Sequence, residues 1–175
     1  MAMVGLFWIA EGDVYVGAKP SGMAPGVRLT AEGVLALGDG QDGLYLWEDV
    51  NALTVSDVPV KTLMRQVGAF TEAALDTVMN LAAPVGPALT GEAPPLMTLS
   101  VGSDDGEHAL KAYVAAAVGY SSTEVELSRT LLSRLTEGAA TMATTLAAMS
   151  EWGRSWEGGS PRVSQREALL REWLA

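Results

Sequence analysis

Between residues 6 and 55 the apolar positions come in short runs of about four residues, each cut off by Gly, Pro or acidic side chains. Leu6, Trp8 and Ala10 alternate with Phe7 and Ile9, Glu11-Gly12-Asp13 supplies turn chemistry, and Val14, Tyr15 and Val16 return, which predicts a β-hairpin over Leu6 to Gly17. A second meander follows: Val27 to Thr30, a turn at Ala31-Glu32-Gly33, Val34 to Leu37, the glycine-rich Gly38 to Gly43, Leu44 to Trp47, and Val50 to Val55. The connections are too short for parallel crossovers, so the strands must be antiparallel and form a barrel or a sandwich.

After Pro59 the period changes. Leu63, Val67, Phe70, Ala74 and Val78 recur at helical intervals with Lys61, Arg65, Gln66, Glu72 and Asp76 between them, which predicts an amphipathic helix over about 60–83. Pro84, Pro87 and Pro94-Pro95 stop it and stiffen the linker. Leu96 to Val101 reads as a late strand, turned by Ser103-Asp104-Asp105-Gly106, with His108 to Val118 as its returning partner despite a helix-tolerant alanine content. Ser121-Ser122-Thr123-Glu124 has the spacing of a capping box. Val125, Leu127, Leu131, Leu132 and Leu135 give the helix about 122–137 an apolar face, with Gly138 as its C′ stop. Ala139 to Met149, uncharged and rich in Ala, Thr and Met, predicts a further close-packed helix; Gly153 and Gly158-Gly159 loosen the chain after it, and Ser160-Pro161 opens a last short helix. The expected architecture is therefore α+β: residues 1–138 as an antiparallel β-barrel or sandwich with an inserted helix and a closing helix, and residues 139–175 as a helical C-terminal extension.

A length of 175 residues suits one ordinary core. Absence of cysteine excludes disulfides, thiolate metal sites and thiol nucleophiles, and accords with a cytoplasmic location. The formal charge of −10 repels phosphate backbones and anionic lipid, and Lys19, Arg28, Lys61, Arg65, Lys111, Arg129 and Arg134 are scattered singly, so neither nucleic acid nor a membrane is an expected partner. Met1 to Ala10 lacks a basic leader and reaches Glu11 and Asp13 too early for a secretory signal. The apolar stretch Val78 to Leu89 is interrupted by Asn80, Pro84 and Pro87, well short of the roughly 20 residues a span needs.

Little in the chain is equipped for covalent chemistry. Gly38 to Gly43 matches GxGxxG, but Leu44-Tyr45-Leu46-Trp47 continues as strand, so no helix N-terminus waits for a phosphate; a hairpin loop is the simpler reading. Asp39 and Asp42 are too few for a calcium loop. Asp104, Asp105, Glu107 and His108 form the one dense group of hard-metal ligands or acid/base residues, against which stands an ordinary solvated turn. His108 is the single histidine, and neither a GxSxG elbow nor an SxxK motif is present. No catalytic residue, cofactor or metal ligand is assigned on these grounds.

Three of the five tryptophans, Trp152, Trp156 and Trp173, fall near Leu169 and Leu170 in the C-terminal region. Aromatic anchors on a short amphipathic segment suit docking onto a protein partner or a second copy; the same residues equally suit an intramolecular core. The strand meander, Trp47-Glu48-Asp49-Val50 leading into a further strand, and the capped helix resemble the pleckstrin-homology-like barrel, including its small bacterial versions, over about residues 4–138. Two departures are the insertion at 60–83 and the lack of the basic strand-loop cluster by which lipid-binding members hold inositol phosphates. The resemblance implies a scaffold for protein or peptide contacts. The expected function is a non-catalytic interaction or assembly domain; the alternative is a small-molecule-binding or hydrolytic enzyme with its site near Asp104, Asp105, Glu107 and His108.

Overall fold

The computed structural model describes residues 2–38, 40–60, 95–116 and 119–175. Among them the fold is α+β, with a six-stranded and a three-stranded antiparallel sheet and three helices. The first sheet is a pure meander: β1 (Ala2–Val4), β2 (Phe7–Ala10), β3 (Asp13–Val16), β4 (Gly26–Leu29), β5 (Gly33–Leu37) and β6 (Gly43–Leu46), each paired with its neighbours in sequence. Register explains which side chains turn inward. Phe7, Val16, Val27 and Ala36 line up across four strands, as do Ile9, Val14, Leu29 and Val34 one step along, and all eight are buried. The apolar run from Met1 to Ala10 reads as one first strand; the structure splits it into β1 and β2, because the reversal needs only Gly5 and Leu6. Gly5 sits at φ +58°, and a Cβ there would lie 2.3 Å from Ser128 Oγ, the hydroxyl that accepts the Leu6 N–H at 3.1 Å.

β7 (Val50–Ser56), β8 (Leu96–Ser103) and β9 (Gly106–Tyr113) form the second sheet, with an irregularity between Val50 and Ala52. The strand expected from His108 onward thus begins at Gly106 and ends at Tyr113. No closed barrel is found among the described residues: the turn after β6 feeds β7 into a separate sheet instead of returning it to β1. The sheets meet at β9, where Ala18 N–H donates to Tyr113 O at 2.7 Å and Gly17, at φ +80°, approaches the same carbonyl. Gln41 completes the junction. Its side chain donates to Lys111 O at 2.8 Å and accepts from Lys111 N–H at 2.8 Å, standing in for a strand on the edge of β9. The amphipathic helix expected at about 60–83 lies outside the described residues, apart from Val60, which bridges to Tyr120.

The helices are α1 (Ser122–Arg134), α2 (Ala139–Ser155) and α3 (Val163–Leu174). The capping box at α1 forms in full: Ser121 Oγ accepts from Glu124 N–H at 3.1 Å and Glu124 Oε2 from Ser121 N–H at 3.2 Å. Three expectations are corrected. Gly138 is the N-cap of α2 and not the stop of α1, which ends at Arg134 and unwinds through Ser133–Glu137 turn bonds. Gly153 does not loosen α2 but lies inside it, buried against β2, where a Cβ would come within 2.2 Å of Ile9 Cγ2. Ser160-Pro161 precedes the cap of α3: Arg162 is the N-cap, its N–H held by Gln165 Oε1 at 3.1 Å, while Ser160 Oγ takes the Met3 N–H at 3.0 Å. Met142, Leu146, Met149, Leu170 and Trp173 from α2 and α3 join the strand side chains in one core.

Candidate functional site

α2 and α3 leave an open groove of about 660 Å³ between them. Helical spacing builds its walls: Thr141, Thr144, Ala148 and Trp152 stand along one face of α2, and Leu169 and Trp173, four residues apart, stand on α3. Small side chains on the α2 side keep the groove wide. Trp152 meets Trp173 edge to face with ring centres 5.9 Å apart, and stacks on Trp156 at 5.2 Å. Its indole is thus fixed from two sides while the ring stays half-exposed. Trp156 is anchored in turn by its Nε1–H donating to Gly159 O at 2.9 Å.

The charge around this groove is uneven. Exposed Glu151 and Glu172 lie on its walls, and Arg134 is the one cation among the lining residues. Arg134 Nη1 is committed to Leu174 O at 2.8 Å, tying the end of α1 to the end of α3, and its Nε is buried with no hydrogen-bond partner. The rim therefore carries a net negative field that favours cationic flanks on whatever enters.

A buried ionic clamp near the start of α3, at the opposite end from Leu174, fixes this helix to α1. Arg166 Nε donates to Glu124 Oε1 at 2.6 Å and Nη2 to Oε2 at 3.4 Å, while Nη1 donates to Pro161 O at 2.6 Å. Both partners are essentially excluded from water. Glu124 accepts from the Ser121 main chain as well, so its lone pairs are satisfied; such a pair resists the rupture of either half. Ser121 Oγ further donates to Glu167 Oε1 at 3.0 Å, a second tie from the start of α1 to α3. Tyr120, fully buried next to this cluster, accepts the Ala115 N–H at 3.0 Å, and burial pushes its phenol up to about 12.

The five C-terminal side chains singled out from the sequence separate into two groups. Leu170 is 0% and Trp173 7% exposed, so both belong to the core, Trp173 also forming the groove floor. Trp152, Trp156 and Leu169 remain half-exposed, with Trp152 and Leu169 lining the groove and Trp156 buttressing it. Asp104, Asp105 and Glu107 project into solvent around the β8–β9 turn, and His108 leans against Tyr45 with ring centres 4.9 Å apart. Among the described residues no group of three or more His, Asp or Glu side chains converges as a metal site. Gly38 to Gly43 is the β5–β6 hairpin loop, with Asp39 outside the described residues. Among the described residues no helix is long and apolar enough to cross a membrane.

Two contributors to this region were not legible in the chain. Glu124 is visible as half of a capping box, but its partner Arg166 lies 42 residues on and looks like one more surface base. The small residues of α2 predict close packing against a neighbour, whereas Thr141, Thr144 and Ala148 line the wall of an open groove. The chain matches no protein-family model, no curated protein and no solved structure.

Proposed function

We propose that this protein is a non-catalytic interaction domain whose α2–α3 groove receives an amphipathic helix of a protein partner. The observation that carries the reading is Trp152, held rigidly by Trp156 and Trp173 yet half-exposed in an open groove with Leu169 opposite. The lining mixes these apolar rings with Thr, Ser and Glu side chains; a preorganised tryptophan in such a concave, mixed setting can anchor a protein interface, since little side-chain entropy remains to be lost on binding. Small residues at Ala140, Thr141, Thr144 and Ala148 allow another helix backbone to approach closely. Glu151 and Glu172 select for Lys or Arg flanking the apolar stripe of the entering helix. Kinship with pleckstrin-homology-like scaffolds and residence in the cytoplasm belong to the same proposal, supported by the strand-meander-then-capped-helix order and by the lack of cysteine.

A chain ended near Gly138 cannot test this, because it would strip Met149, Leu170 and Trp173 from the core. Thr144→Arg can, because Thr144 is exposed on the groove wall and its replacement leaves the core untouched. Affinity recovery from the native cell should return a defined protein with the wild-type chain and lose it with folded Thr144→Arg. Equal recovery by both, or a self-associated species in sedimentation that is indifferent to Thr144→Arg, overturns the reading.

A further inference from the structure

β6 is the outer strand of the six-stranded sheet, and no described strand pairs with its far side. Its main-chain directions follow from the register. Thr30 N–H donates to Gly33 O at 2.9 Å, so Gly33 on β5 faces β4, and Leu46 opposite Gly33 is not bonded to β5. Trp47 N–H donates to Glu32 O at 3.2 Å, the bonded position next in line. Since the antiparallel ladder alternates, Tyr45 bonds inward while Leu44 and Leu46 direct their N–H and C=O groups outward. Leu46 O is taken by Asp49 N–H at 2.9 Å in the following turn, which leaves both groups of Leu44 and the N–H of Leu46 without a partner among the described residues. The side chains at the same positions are 45% and 38% exposed, two of the few large apolar residues that reach solvent.

Such an edge is a template for strand addition. Its flanks decide the occupant. Asp42, Glu48 and Asp49 are all exposed. β6 ends at Leu46, so a second copy laid antiparallel with Leu44 facing Leu46 would bring Asp42 of each copy towards the acidic Glu48–Asp49 turn of the other, and like charges brought together oppose the pairing. The chain's charge of −10 opposes self-pairing further. We infer that the β6 edge takes up an extended, positively charged segment of another protein, which adds a seventh strand through Leu44 and Leu46 and places Lys or Arg against Asp42, Glu48 and Asp49. This surface is independent of the α2–α3 groove and of the reading built on it.

The test uses the full chain and a labelled peptide of alternating Lys and Val, with a Glu and Val peptide of equal length as control. Saturable binding is expected for the Lys peptide only, with new protection of the Leu44 and Leu46 amides from hydrogen exchange and none added at Tyr45, which is already bonded to β5. Leu44→Pro deletes an outward N–H that no described residue uses, so a folded variant should bind at least tenfold more weakly. Leu44→Lys repeats the test by charge repulsion should the proline variant fail to fold. Thr144→Arg should leave this binding unchanged, which separates the edge from the groove. No binding of the Lys peptide to the wild type, or binding without amide protection that survives both Leu44 variants, overturns the inference.

Discussion

Tyr120 shows how one buried side chain writes a pH dependence into the whole chain. Its phenol is raised from 10 to about 12, chiefly by burial, so the folded state keeps a proton that the unfolded state gives up. The stability that Tyr120 contributes is fully present below pH 10 and falls through the interval from 10 to 12, a loss of about 3 kcal/mol across two pH steps. Tyr120→Phe should abolish that alkaline loss in urea titrations at pH 8 and pH 11, while costing about 1 kcal/mol at pH 8 because the half-buried Ala115 N–H loses its acceptor. The Arg166–Glu124 pair answers to a different rule. Arg166→Met leaves a buried carboxylate without its cation and should cost about 3–5 kcal/mol in the same assay, whereas the double change Arg166→Met with Glu124→Met should recover a large part of it. A double variant as unstable as the single one would contradict the account of this clamp.

At the scale of elements, Gly153 tests how α2 is held. Helix propensity alone makes Gly153→Ala stabilising by about 1 kcal/mol. Contact with Ile9 Cγ2 reverses the sign: overpacking should produce a net loss of about 1–3 kcal/mol, and Ile9→Ala in the same chain should relieve the added strain in a double-mutant cycle. The same glycine marks where sequence and structure part. The strands β2 to β8 were legible because short apolar runs are bounded by Gly, Pro or acidic residues, β9 was legible only in part because its alanines also suit a helix, and the capping box announced α1 at the right residue. Local grammar fails where the reason for a residue is distant. Gly153 reads as a loosening residue until β2 is known to lie beneath it, and Gly138 reads as a stop until Ala139 continues as helix. β1 was not told apart from β2 because three residues are too few to display a period. Barrel and sandwich both stayed open because strand number and spacing do not say whether the sixth strand returns to the first; the chain instead turns at Trp47–Asp49 into β7, with Trp47 Nε1–H donating to Thr30 O at 2.7 Å.

For the molecule as a whole, the helical layer and the sheets share one core, so the groove between α2 and α3 stands on a rigid base. Four of its features have separate origins: aromatic anchors from Trp152 and Trp173, small residues along α2, acidic walls, and the buried clamp that keeps α3 in place. The tryptophans were visible in the sequence as candidate anchors, but not which of them the core would absorb; that depends on the angle at which α3 lies on α1. Because Glu151 and Glu172 act through exposed charge, raising ionic strength should weaken partner association and slow its on-rate, readable as the salt dependence of binding kinetics. Placing a photo-cross-linking amino acid at Thr144 in the native cell, with the same group at exposed Ser122 as control, tests the central claim most directly. One dominant protein adduct at position 144 and none at 122 is the predicted result; no adduct at 144, or the same adducts at both positions, would contradict it.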